Sequence, residues 1–253
     1  MRKLKYQLSR ARGFLERTAR WIATGAAGMA LSSGAYAASD GAAVLHELGC
    51  ADCHAVAAPK PEERTLAAYA TRKGPDLFYA GSKYRPEWLH RWLAHPIPIR
   101  PAGLHPADRT RTAADGDHLS AEALPAHPAV APNRVDAVVS ALVSLSWGRQ
   151  LTAAATPTHA AVPRALAELN FVKFKGCGSC HRTSSASPPL SGPDLVDAFQ
   201  RLRPEFLASV IATPQAWDPV APMPGYGLEP VEVAKLVEYL RLVSEEDHAS
   251  QTR

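Results

Sequence analysis

Two pentapeptides constrain this chain more than anything else in it: Cys50-Ala51-Asp52-Cys53-His54 and Cys177-Gly178-Ser179-Cys180-His181. Together they use all four cysteines of a 253-residue sequence. C-x-x-C-H is the pattern of c-type haem attachment. Two thiols three positions apart reach the two vinyl groups of one porphyrin as thioethers, and the adjacent His lies under the iron as its proximal ligand. The motifs therefore predict two covalently bound haem c groups, on Cys50, Cys53, Cys177 and Cys180, with His54 and His181 on iron. Three other readings use the same cysteines. A four-thiolate zinc site gives no role to a His directly after each pair. A thioredoxin-like pair calls for a βαβ setting, and no strand pattern precedes either motif. Two disulfides suit an exported chain but leave the paired His unexplained.

Export is the expectation from the N-terminus. Residues 1–37 carry seven Lys and Arg (Arg2, Lys3, Lys5, Arg10, Arg12, Arg17, Arg20) and a single acid, Glu16. An apolar run from Trp21 to Leu31 and an Ala35-Tyr36-Ala37 site follow. Charged region, short apolar region and small-residue site read as a cleaved secretory signal over residues 1–37. The alternative, a membrane anchor, wants about 20 apolar residues, more than this run supplies. The remainder holds 28 − 7 = 21 basic and 24 − 1 = 23 acidic groups, which excludes the basic face of a nucleic-acid binder. The predicted location is the periplasm, soluble or peripherally membrane-associated.

An internal repeat points to the sixth ligands. Gly74-Pro75-Asp76-Leu77 recurs as Gly192-Pro193-Asp194-Leu195, and Arg85-Pro86-Glu87-Trp88-Leu89 as Arg203-Pro204-Glu205-Phe206-Leu207. Pro96 recurs as Pro214, and every pair lies 118 positions apart. Such self-similarity means two copies of one unit. In the second copy Met223-Pro224 follows, and Met223 is the only Met after residue 37. A thioether in a Pro/Gly-rich loop is a candidate iron ligand, with core filling as the ordinary alternative. Moving back 118 positions from Met223 gives His105, and Pro106 matches Pro224. The register therefore assigns His54/His105 to haem 1 and His181/Met223 to haem 2. His90, His95, His118 and His127 are rivals to His105, with His118 and His127 the main ones.

These features resemble the class I cytochrome c domain, twice over, across residues 40–147 and 165–244. The resemblance implies an all-α fold, two tandem domains each wrapped around a covalent haem: domain 1 over 38–148, domain 2 over 165–253. The residue pattern agrees. Helices are predicted over 42–48 and 165–174 ahead of each motif, and over 86–94 and 204–212, each opened by Pro at its first turn. Last helices are predicted over 133–145 and 231–243, the latter with Leu236, Tyr239, Leu240 and Val243 as an apolar stripe. The first copy departs from the family pattern in its His for Met and in two inserts, at 59–72 and 107–131. Residues 149–164 read as a short linker, and 244–253 as a polar tail that frays.

Two strong axial ligands keep an iron's coordination unchanged between oxidation states and leave no site for substrate. The expectation is a dihaem electron carrier, passing single electrons between periplasmic or membrane-bound redox proteins. A thioether raises the potential, so electrons should run from haem 1 to haem 2. The alternative is a dihaem enzyme, resembling a thiosulfate dehydrogenase or a peroxidase, with domain 1 active. The first resembles a group that uses a Cys ligand, and no Cys is spare here. A gas sensor lacks an effector domain. No catalytic acid, base or nucleophile is predicted. Trp88, Trp92, Tyr79, Tyr84, Trp217 and Tyr226 are candidates either for porphyrin contact or for ordinary core. Arg85, Arg100, Arg109 and Arg203 are candidates for propionate pairing or for solvated charge.

Overall fold

The computed structural model describes residues 43–114, 116–120, 122, 124–155 and 161–251. The expected secretory signal lies outside these residues. Residues 43–47 form helix α1, which leads into the first Cys motif. Then come α2 (Leu66–Ala70), α3 (Ala80–Lys83), α4 (Pro86–Ala94), α5 (Val135–Ser144), α6 (Arg149–Ala154) and α7 (Arg164–Leu169). α8 (Ala198–Arg201), α9 (Pro204–Ala212), α10 (Pro214–Trp217) and α11 (Pro230–Gln251) complete a helix-rich fold. α4 and α9 match the expected bounds. Pro sits at the first turn of each, where its missing N–H is no loss. α7 runs on through a π turn, Asn170–Phe174, to the second Cys motif.

The 118-residue repeat is a repeat of structure. α3 and α8 are equivalent, as are α4 and α9, with no gap. The copies meet at their own equivalent positions. Tyr84 and Leu202, 118 apart, form an antiparallel bridge. Arg85 N–H donates to Arg201 O (3.0 Å), and Arg203 N–H donates to Lys83 O (2.9 Å). Equivalent groups thus exchange bonds across a local two-fold axis, as in an isologous dimer interface. Side chains follow the same reciprocity. Lys83 lies 5.6 Å from the Phe206 ring centre, and its equivalent Arg201 lies 6.0 Å from Trp88, the equivalent of Phe206.

One apolar core spans both halves. Tyr79 stacks on Phe206 at 6.2 Å, and Trp217 packs against Phe206 at 4.7 Å and against Tyr79 at 5.4 Å. Trp217 is 2% exposed and donates its indole N–H to Ser209 Oγ (2.9 Å), so its polar edge is satisfied. Tyr79, Tyr84, Trp88 and Trp217 are buried here, between the copies. Trp92 is half-buried, and Tyr226 is exposed.

Four segments differ from expectation. The stretch expected as a bare linker begins with α6, and Leu151 packs on the core. Its short apolar content gave no periodicity to read. The tail expected to fray continues as helix to Gln251. Ser244 is 1% exposed because its Oγ donates to Val196 O and accepts from Phe199 N–H, tying α11 to α8. Arg241 paired with Glu238 and Glu245, and Arg164 with Glu246, extend the helix beyond. The insert at 107–131 contains a two-stranded hairpin, β1 (Thr110–Ala113) and β2 (Gly116–Leu119), an exception to an all-α chain. The insert at 59–72 clamps the other half: Arg72 pairs with Asp218 (2.6 Å), and Arg64 donates to Trp217 O.

A shared core predicts shared unfolding. Phe206→Ala should cost about 3–5 kcal/mol by leaving a cavity under Tyr79 and Trp217. Denaturant titration should show far-UV dichroism and tryptophan fluorescence shifting together in one transition, although the substitution lies in one copy.

Candidate haem centres

Each Cys motif folds as a tight 3₁₀ turn, Cys50–Asp52 and Cys177–Ser179. The turn closes on the following His: His54 N–H donates to Cys50 O (3.1 Å), and His181 N–H to Cys177 O (3.0 Å). Both Cys and the His of each motif thereby stay within one turn. No disulfide joins the four cysteines; Cys50 and Cys177 are half-buried, while Cys53 and Cys180 are exposed. Burial pushes the Cys50 and Cys177 thiols up, away from the thiolate. Among the described residues no three His, Cys, Asp or Glu side chains gather as a chelating group, so the two pairs do not converge on a four-thiolate site.

The repeated Gly-Pro dipeptide supports the imidazole. His54 Nδ1 donates to Pro75 O (2.7 Å), and His181 Nδ1 donates to Pro193 O (2.8 Å). A carbonyl only accepts, so Nδ1 carries the proton and the lone pair is on Nε2. This is the outer-shell bond that orients a metal-ligating His and raises its basicity. The preceding glycine makes room. A Cβ on Gly74 would lie 2.5 Å from His54 Cε1, and one on Gly192 2.7 Å from His181 Cε1. Any side chain at either position would displace the ring. A second strap holds each loop: Leu77 N–H donates to Ala55 O (2.8 Å), and Leu195 N–H to Arg182 O (3.0 Å).

Charge around the two rings is arranged alike. Asp76 pairs with Arg72 (3.4 Å), and its equivalent Asp194 with Arg182 (2.6 Å). Burial raises the Asp76 carboxyl, and Arg72 pulls it back down. Burial lowers both imidazoles, against their hydrogen bonds to the Pro75 and Pro193 carbonyls, which raise them. His127 lowers His54 further, and Arg100 does the same to His181. Both rings are thus held in the neutral form that a metal requires.

The distal candidates fall in different places. Met223 is half-buried against the core, and its carbonyl accepts from Gln215 Nε2 (2.7 Å). His105 lies edge-on to Tyr69, 5.1 Å between ring centres, with Nε2 3.3 Å from Arg72 O. His127 faces His54, with ring centres 6.1 Å apart. His118 sits on β2 opposite Arg111. His90 reaches Asp136 (3.4 Å), and His95 ends α4. Arg85 is spent on carbonyls of Phe199 and Leu202, and Arg109 on Glu122 O. Among the described residues, Arg203 Nε is buried without a hydrogen-bond partner. The Gly-Pro support of each His went unassigned in the sequence. Its recurrence downstream of both Cys motifs was the available signal.

No family model matches the chain, and no curated protein or solved structure proves similar to it.

Gly74→Ala should destabilise the protein by about 1–3 kcal/mol, because the new methyl collides with the supported ring. Gly178→Ala, whose Cβ meets only ordinary contacts at 3.5 Å or more, should stay within about 1 kcal/mol of the parent. Thermal unfolding of the two variants side by side measures the difference.

Proposed function

We propose that this protein is a periplasmic dihaem c-type cytochrome that passes single electrons between redox proteins. The carrying observation is the same constellation built twice: a C-x-x-C-H turn whose His donates Nδ1–H to the carbonyl of a Gly-Pro loop that has no room for a side chain. These residues fit a covalently held haem. Cys50 and Cys53, and Cys177 and Cys180, would form the thioethers; His54 and His181 would ligate through Nε2. The haem supplies a one-electron couple at each centre.

The chain's own residues do the rest. Pro75 and Pro193 fix the tautomer and the ring orientation. Burial favours the neutral form of both imidazoles, the form that ligates a metal. A second imidazole at the first centre and the Met223 thioether at the second would complete both coordination shells. The first centre is then the lower in potential and the second the higher. Electrons enter through domain 1 and leave through domain 2. Export rests on the charged and apolar pattern of residues 1–37. The partners this role requires are periplasmic or membrane-bound redox proteins.

The exported chain should carry two haems by alkaline pyridine absorbance, and Cys177→Ser with Cys180→Ser should leave one. Redox titration should resolve two potentials, with the imidazole–thioether centre the higher. A chain without covalent haem, or one whose imidazole–thioether centre titrates at the lower potential, overturns the assignment.

A further inference from the structure

We infer that His127, from the insert at 107–131, is the distal ligand of the first haem, in place of the register-matched His105. The inference rests on the reading of His54 as a haem ligand and adds the identity of its partner.

Spacing is the first observation. A metal–imidazole bond is about 2 Å, and the ring centre lies about 1 Å beyond the nitrogen, so two imidazoles sharing one metal hold their centres about 6 Å apart. His54 and His127 are 6.1 Å apart, centre to centre. The two rings are tilted by 46°, so neither stacks flat on the other.

Polarity of the rings is the second. His127 Nδ1 donates to Pro128 O (2.9 Å), as His54 Nδ1 donates to Pro75 O. Both rings therefore present Nε2 as their free lone pair, each with a backbone carbonyl as outer-shell support. His105 is the reverse. Its Nε2 lies against Arg72 O (3.3 Å), which assigns the proton to the very nitrogen that His127 leaves open.

Anchoring is the third. The His127 ring packs on Trp92 at 4.8 Å, and Trp92 is fixed by its indole bond to Ile97 O (2.9 Å). Three residues on, Val130 N–H donates to Leu93 O (2.8 Å), which ties the end of the insert to α4. His105 is anchored elsewhere, against Tyr69, whose hydroxyl donates to Leu104 O (2.6 Å). The two inserts thus complement one another. Residues 59–72 hold the His105 loop in place, and residues 107–131 return an imidazole to His54.

The test uses the exported holoprotein and low-temperature magnetic resonance with near-infrared dichroism. The parent should show one bis-imidazole and one imidazole–thioether centre. His127→Ala should abolish the bis-imidazole signal, leave the other intact, and regain it when free imidazole is added. His127→Met should convert the first centre to a second imidazole–thioether signal. His105→Ala should leave the spectra unchanged. Pyridine absorbance on each variant confirms that both haems remain attached. If His105→Ala removes the bis-imidazole signal and His127→Ala does not, the ligand assignment falls while the dihaem reading stands. If the parent carries no haem, both fall.

Discussion

The hydrogen bond from the motif imidazole to a proline carbonyl is the constraint around which each half is arranged. It needs a turn that delivers His54 or His181 at a fixed angle, a carbonyl aimed back at Nδ1, and a residue without a side chain just before the proline. Gly74-Pro75 and Gly192-Pro193 meet all three conditions. The conditions are set by backbone geometry, so they survive nine extra residues between motif and loop in the first half.

Much of this was legible in the residues. The Cys motifs, the 118-residue register and the Pro-opened helices each follow from spacing, and α4 and α9 have the expected bounds. The apolar stripe of Leu236, Tyr239, Leu240 and Val243 is buried as expected. What escaped depended on contacts between distant segments. α6 is short and Ala-rich, and it is held by packing on α9. Ser244 looks like the start of a polar tail until the carbonyl of Val196 and the amide of Phe199 meet it.

The different surroundings of His105 and Met223 show what register conserves and what it does not. A gap-free repeat equates His105 with Met223, but register conserves position along the chain and not the direction of a side chain. Tyr69 and Arg72, from the longer loop of the first half, take up the His105 ring. A neighbouring insert that seemed an elaboration brings His127 opposite His54. Insertions in one copy of a duplicated unit can thus change which imidazole stands opposite the motif His, while the Cys-His turn and its Gly-Pro support stay unchanged.

The reciprocal bridge at Tyr84 and Leu202 has a kinetic corollary. Because Tyr79, Phe206 and Trp217 fill the seam and Arg72 clasps Asp218 across it, the gap between His54 and His181 is set by side-chain packing. In the dihaem role proposed above, electron exchange between the two centres would proceed over a fixed span. Its rate would then be independent of tethered diffusion, and a longer or looser connector between the halves would leave it unaltered.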